Sequence, residues 1–131
     1  QSHRPGWKFT AAETVADGGL HARLLVGPRI PVPDIARNAA ALDRCLAEAR
    51  VTLLKDGEVV DRGTGAHVLD SPLRALHHFV QEIRSCPGAP DLQPHDVVTT
   101  GTWTDAWPIQ AGDLWRAEFT PPLSSLSLTV R

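Results

Sequence analysis

The sequence predicts an α+β, strand-dominated fold with one clear helix over about residues 71–85. Three observations carry this. Two β-prone runs, 51–55 and 58–62, flank Asp56-Gly57, a two-residue connection suited to positive φ and so to a tight hairpin. Ser71-Pro72 supplies an N-cap and an N1 proline, Leu73, Leu76, Val80 and Ile83 make one apolar face, and Cys86-Pro87-Gly88 ends the helix. Towards the C-terminus the runs 97–100, 114–119 and 123–130 read as strands, with a further extended stretch at Ile109.

Taken in order, residues 1–19 form a polar approach segment anchored at most by Trp7 and Phe9. Asp17-Gly18-Gly19 is a turn signal, and 20–26 suits a strand stopped by Gly27-Pro28. Prolines 28, 31 and 33 stiffen the link that follows. From Asp34, a potential N-cap, the spacing of Ile35, Ala39, Leu42, Leu46 and Ala49 predicts a short helix. Residues 90–95 read as loop. No internal repeat or low-complexity segment is present.

At 131 residues the chain fits one small domain or a fragment of a larger one. Hydrophobic residues make up 42%, charged residues 21%, and the net charge is -2, which argues against disorder and against a nucleic-acid partner. No apolar run approaches the roughly 20 residues of a membrane span, and the first residues lack a signal-peptide core. A soluble, cytoplasmic protein is expected. Cys45 and Cys86 fit neither a CxxC motif nor a dense disulfide frame, so reduced thiols are expected. There is no methionine, even at position 1, which leads to the expectation of a fragment or processed piece.

The most informative stretch is VVTTGTWTDAWPIQAGD, residues 97–113. A β-branched run breaks at Gly101, where the backbone can approach a ligand or take positive φ, and Thr102 and Thr104 offer short, stiff hydroxyls. If the loop stays extended, these hydroxyls share one face and Trp103 takes the other. The competing reading is packing: Trp103, Trp107 and Trp115 lie close in sequence, and such clusters commonly form a core corner. Other chemistry is thinly supported. His77 and His78 are adjacent on a helix and point about 100° apart, unsuited to one ion. His3, His21, His67 and His95 are isolated, ordinary surface or hydrogen-bonded residues by expectation. No Gly-x-Ser-x-Gly elbow and no phosphate-cradling glycine loop occurs.

The order TGTWT, a proline-containing link, AGD, LWRAEF and LSSLSLTV resembles the C-terminal end of the 2-keto-4-pentenoate hydratase / 4-oxalocrotonate decarboxylase family of the fumarylacetoacetate hydrolase superfamily. Upstream, Lys55-Asp56-Gly57-Glu58-Val59-Val60 resembles the family's NGEVV hairpin, Gly63-Thr64-Gly65-Ala66 its glycine-rich link, and Leu69-Asp70-Ser71-Pro72-Leu73 its LGHPL stretch. Glu13-Thr14-Val15-Ala16-Asp17 is similar to its DTVADN.

The resemblance implies the C-terminal half of a mixed β-sheet roll, with Gly101, Thr102 and Thr104 contacting a small-molecule 2-oxo acid. It also implies Mg2+ or Mn2+ for the complete enzyme, held by a Glu-x-Glu pair that this sequence lacks. No metal is therefore expected on this chain alone. It further implies a homo-oligomer and a partner in the remaining N-terminal half or a second chain. Ser71 replaces the family's His, Gly18 its Asn, and Ser124-Ser125 its Gly-Ser. The expected function is the substrate-pocket wall of a hydratase or decarboxylase of aromatic catabolism. The alternatives are a non-catalytic assembly module and a C–C bond hydrolase of the same superfamily.

Overall fold

The computed structural model describes residues 3–131, so the first two residues of the approach segment lie outside it. Its centre is a four-stranded antiparallel sheet of order β2-β1-β3-β4, built from β1 (Arg50–Lys55), β2 (Glu58–Thr64), β3 (Leu114–Phe119) and β4 (Leu126–Thr129). The hairpin turn behaves as its residues demand. Asp56 and Gly57 both take positive φ, 51° and 89°, and Asp56 Oδ1 accepts from Leu114 N at 3.0 Å, fastening the turn to β3. A register shift opposite Leu53 and Leu54 marks a bulge in β2.

Among the described residues, four α-helices accompany the sheet: α1 (Ala11–Ala16), α2 (Val32–Ile35), α3 (Ala39–Glu48) and α4 (Pro72–Ser85). Helix α4 starts at its Ser71 cap, whose side chain accepts from Leu73 N at 3.2 Å. Ser71 is wholly buried and also donates to Asp43 O, tying α4 to α3. The core is small: Leu42, Ala49, Val51, Val68, Ala75 and Trp115 are its buried apolar side chains. Cys45 and Cys86 are free thiols.

Several sequence expectations need correction. Residues 11–16 are a helix inside the approach segment, because Thr10 and Glu13 form a reciprocal capping box. The helix expected from Asp34 is two helices: Ala36 is extended, Asp34 lies in the first turn of α2, and Asn38 caps α3. Residues 20–26, 97–100 and Ile109 are not strands. They are extended or turn-like chain with no ladder partner among the described residues. A β-branched run favours extension, but a strand exists only where a neighbour accepts its hydrogen bonds. The final strand is shorter than 123–130: Leu126–Thr129 pairs with β3, while Val130 exchanges backbone hydrogen bonds with Gly112 and Asp113 in the turn before β3. Among the described residues, no helix is long and apolar enough to cross a membrane.

Candidate functional site

The loop after residue 100 lies against β2 and the turn that follows it. Gly63 makes this possible. A Cβ there would lie 1.9 Å from Trp103 O, so only a glycine lets the two backbones meet at this spacing. Gly101 has φ 129°, and a Cβ on it would meet Val68 at 3.0 Å, so it passes tightly over the buried Val68. Trp103 is half-buried and sets its ring edge-on to Phe119 of β3, with centroids 5.7 Å apart. Only Trp115 is a core tryptophan. Trp107 is exposed.

Thr102, Trp103, Thr104 and Asp105 line a recess of about 300 Å³ together with Asp61, Arg62 and His67. Thr102 is exposed and Thr104 half-buried, so the recess brings both hydroxyl-bearing residues together. Gly101 is adjacent in the chain but does not line it.

Two residues at this recess escaped the sequence reading of function. Asp61 Oδ2 accepts from Asp105 N at 3.0 Å and Trp107 Nε1 at 3.1 Å, while its Oδ1 accepts from Arg62 N at 2.7 Å. The Trp107 hydrogen bond, then those from Asp105 and Arg62, hold the Asp61 carboxyl below the ordinary aspartate range. His67 Nδ1 lies 3.0 Å from Trp103 O; a carbonyl can only accept, so this nitrogen carries the proton. The available signal was their place: both flank Gly63-Thr64-Gly65, where glycines permit a close backbone approach.

The recess does not fit a divalent ion. Both Asp61 oxygens are already engaged by N–H donors, and no group of three or more His, Cys, Asp or Glu among the described residues is placed to hold a metal. Its lining combines two hydroxyls and an imidazole with the Arg62 guanidinium and the Asp61 and Asp105 carboxylates.

The arrangement is a four-stranded sheet with a Thr-Trp-Thr loop packed on β2 beside a polar recess. Residues 6–131 match the family described as fumarylacetoacetate (FAA) hydrolase, C-terminal, and the chain belongs to that family. It is 35% identical over 96 residues to a 2-keto-4-pentenoate hydratase of Burkholderia vietnamiensis (strain G4 / LMG 22486), covering 72% of this chain and 32% of that protein. It is 30% identical over 108 residues to 2-keto-4-pentenoate hydratase 1 of Dechloromonas aromatica (strain RCB), covering 82% and 37%. The solved 4-oxalocrotonate decarboxylase from Pseudomonas putida G7, complexed with magnesium and adipate, matches all of this chain and 46% of its own at TM-score 0.80 and 26% identity. The same enzyme complexed with calcium and acetate matches 66% of this chain and 32% of its own, at TM-score 0.56 and 30% identity. The fold is thus the FAA hydrolase-like one of these neighbours, and the chain spans about a third of the length of the curated relatives it matches.

Proposed function

We propose that this chain forms a substrate-pocket wall of a 2-oxo acid hydratase or decarboxylase, with Gly101, Thr102 and Thr104 as substrate contacts; the two threonines line the recess, and Gly101, outside its lining, is included on the family resemblance alone. The observation that carries the reading is the recess itself: a hydroxyl pair on a loop held by β2, in a chain whose relatives are named hydratases and decarboxylases. Two hydroxyls and the Gly101 N–H offer donors to a carboxylate and a 2-oxo group. These donors, with the Arg62 guanidinium in the same lining, bind such an anion and leave its enolisation to groups elsewhere.

The divalent ion bound in the solved neighbours has no fitting donor set among the described residues, so we place the groups that would hold a metal elsewhere. The 131 residues alone then bind or shape substrate without turning it over. An N-terminal half or a second chain completes the enzyme, and the completed unit assembles as a homo-oligomer. The direct test is to assay the complete protein with Mg2+ on 2-hydroxypenta-2,4-dienoate, following loss of the conjugated absorbance, and on 4-oxalocrotonate, following release of CO2. Mg2+-dependent turnover of one of them is expected. Turnover of neither would leave the loop without this role.

A further inference from the structure

We propose that Asp61 and His67 are positioning residues that set the shape of loop 101–107, each holding a different part of it. This rests on the reading that the loop faces a 2-oxo acid, and it adds what holds the loop in place. The loop has no regular secondary structure. Residues 97–100 before it and 108–110 after it have no ladder partner among the described residues. Its geometry must therefore come from side chains elsewhere, because unpaired chain without such ties samples many conformers.

The ties come from one continuous segment, β2 and the turn after it. His67 takes the Trp103 carbonyl, and Asp61 takes the Asp105 amide and the Trp107 indole. Thr104 sits between the two attachment points, and Thr102 immediately precedes the first. The Arg62 amide holds the other Asp61 oxygen, so the carboxylate is itself oriented before it orients the loop. Gly63 removes the one side chain that would keep Trp103 O away.

Three N–H donors disperse the charge of the Asp61 carboxylate, and the lining also holds the Asp105 carboxylate and the Arg62 guanidinium. Neither Asp61 nor His67 needs to touch a reacting atom for this role. Their effect reaches the substrate through Thr102 and Thr104.

The experiment compares Asp61→Ala, Asp61→Asn, His67→Ala and Trp107→Phe in the complete protein. The Trp107 indole N–H is followed by NMR, alongside Tm and steady-state kinetics. In Asp61→Ala the indole signal is expected to move upfield and to exchange faster with solvent, with Tm little changed. KM for the 2-oxo acid should rise by roughly tenfold to a hundredfold, as for a misplaced binding group, while kcat falls less. Asp61→Asn, which keeps an acceptor oxygen, should recover much of the loss. Trp107→Phe should reproduce part of it, and His67→Ala should raise KM without moving the indole signal as far. An unchanged Trp107 signal in Asp61→Ala overturns the proposal, and so does a changed signal with unchanged KM. If the unmodified protein processes no 2-oxo acid, the reading of the site fails; the anchoring is then decided by the indole shift and exchange alone.

Discussion

Three aspartates do most of the polar fastening, and each is held below its ordinary titration range by donors around it. Asp113 in the AGD turn shows how. Lys55 Nζ lies 2.8 Å from Oδ2, the Gln110 amide donates to the same oxygen at 2.8 Å, and Trp115 Nε1 reaches it at 3.3 Å. The Lys55 hydrogen bond is the largest cause of the depression, followed by the Gln110 amide. A carboxyl whose folded pKa is depressed stabilises the fold above its unfolded value of about 4 and loses that contribution as pH falls through the lower folded value. Urea midpoints measured between pH 7 and pH 2 should therefore drop on the acid side, and Asp113→Asn should flatten part of the drop. An identical pH profile in that variant would show the Lys55 pair to be energetically idle. The sequence presented AGD as one of the spaced family motifs, but not the lysine that would pair with it, because Lys55 and Asp113 meet only through the β1–β3 register.

At the scale of elements, the hairpin and α4 were legible because their signals are local: a turn dipeptide, a capping serine, an N1 proline and an apolar stripe. Residues 20–26 and 97–100 were misread because pairing is not local, and neither run carries a mark of whether a neighbour exists. The approach to α4 holds a further lesson. Leu69 and Asp70 both take positive φ, 47° and 63°, just before the Ser71 cap. The family pattern carries glycine where this chain has Asp70, and a side chain in that conformation is strained. Asp70 gains only an exposed ion pair with Arg74 at 3.7 Å in return, a contact of small value. Asp70→Gly should relieve a left-handed penalty of roughly 1 to 2 kcal/mol and lose roughly 0.5 to 1 kcal/mol to glycine's backbone entropy, a small net gain read as an upward shift in Tm. A fall in Tm would mean that the aspartate contributes more locally than its geometry suggests.

For the whole molecule, the balance of buried and exposed apolar surface is the main fact. Leu24, Leu25, Val26, Phe79, Val97 and Ile109 all stand exposed, Ile109 at 63%, around a small buried core of Leu42, Ala49, Val51, Val68, Ala75 and Trp115 with Pro72 beside them. Apolar surface on this scale drives association unless something covers it. The chain on its own is expected to self-associate in light scattering, or to melt over a broad range. A monodisperse monomer with one sharp transition would instead make these 131 residues a self-sufficient domain. Family membership was legible in the spaced motifs from the hairpin to the final strand, and the family match over residues 6–131 agrees with it. The polar recess was legible only in part. The Thr-Trp-Thr pattern marked one wall, whereas Asp61 and His67 reach it through β2, a placement that only the folded chain reveals.

The account turns on whether Thr102 binds substrate or merely ends a run of extended chain. Thr102 is exposed at the recess and makes no side-chain hydrogen bond with the described residues, so Thr102→Val should fold normally while losing one donor to the ligand. In the complete protein, kcat/KM for the 2-oxo acid should fall by the equivalent of about 1 to 3 kcal/mol, the cost of leaving a buried partner group unpaired. An unchanged kcat/KM, with Tm also unchanged, would contradict it.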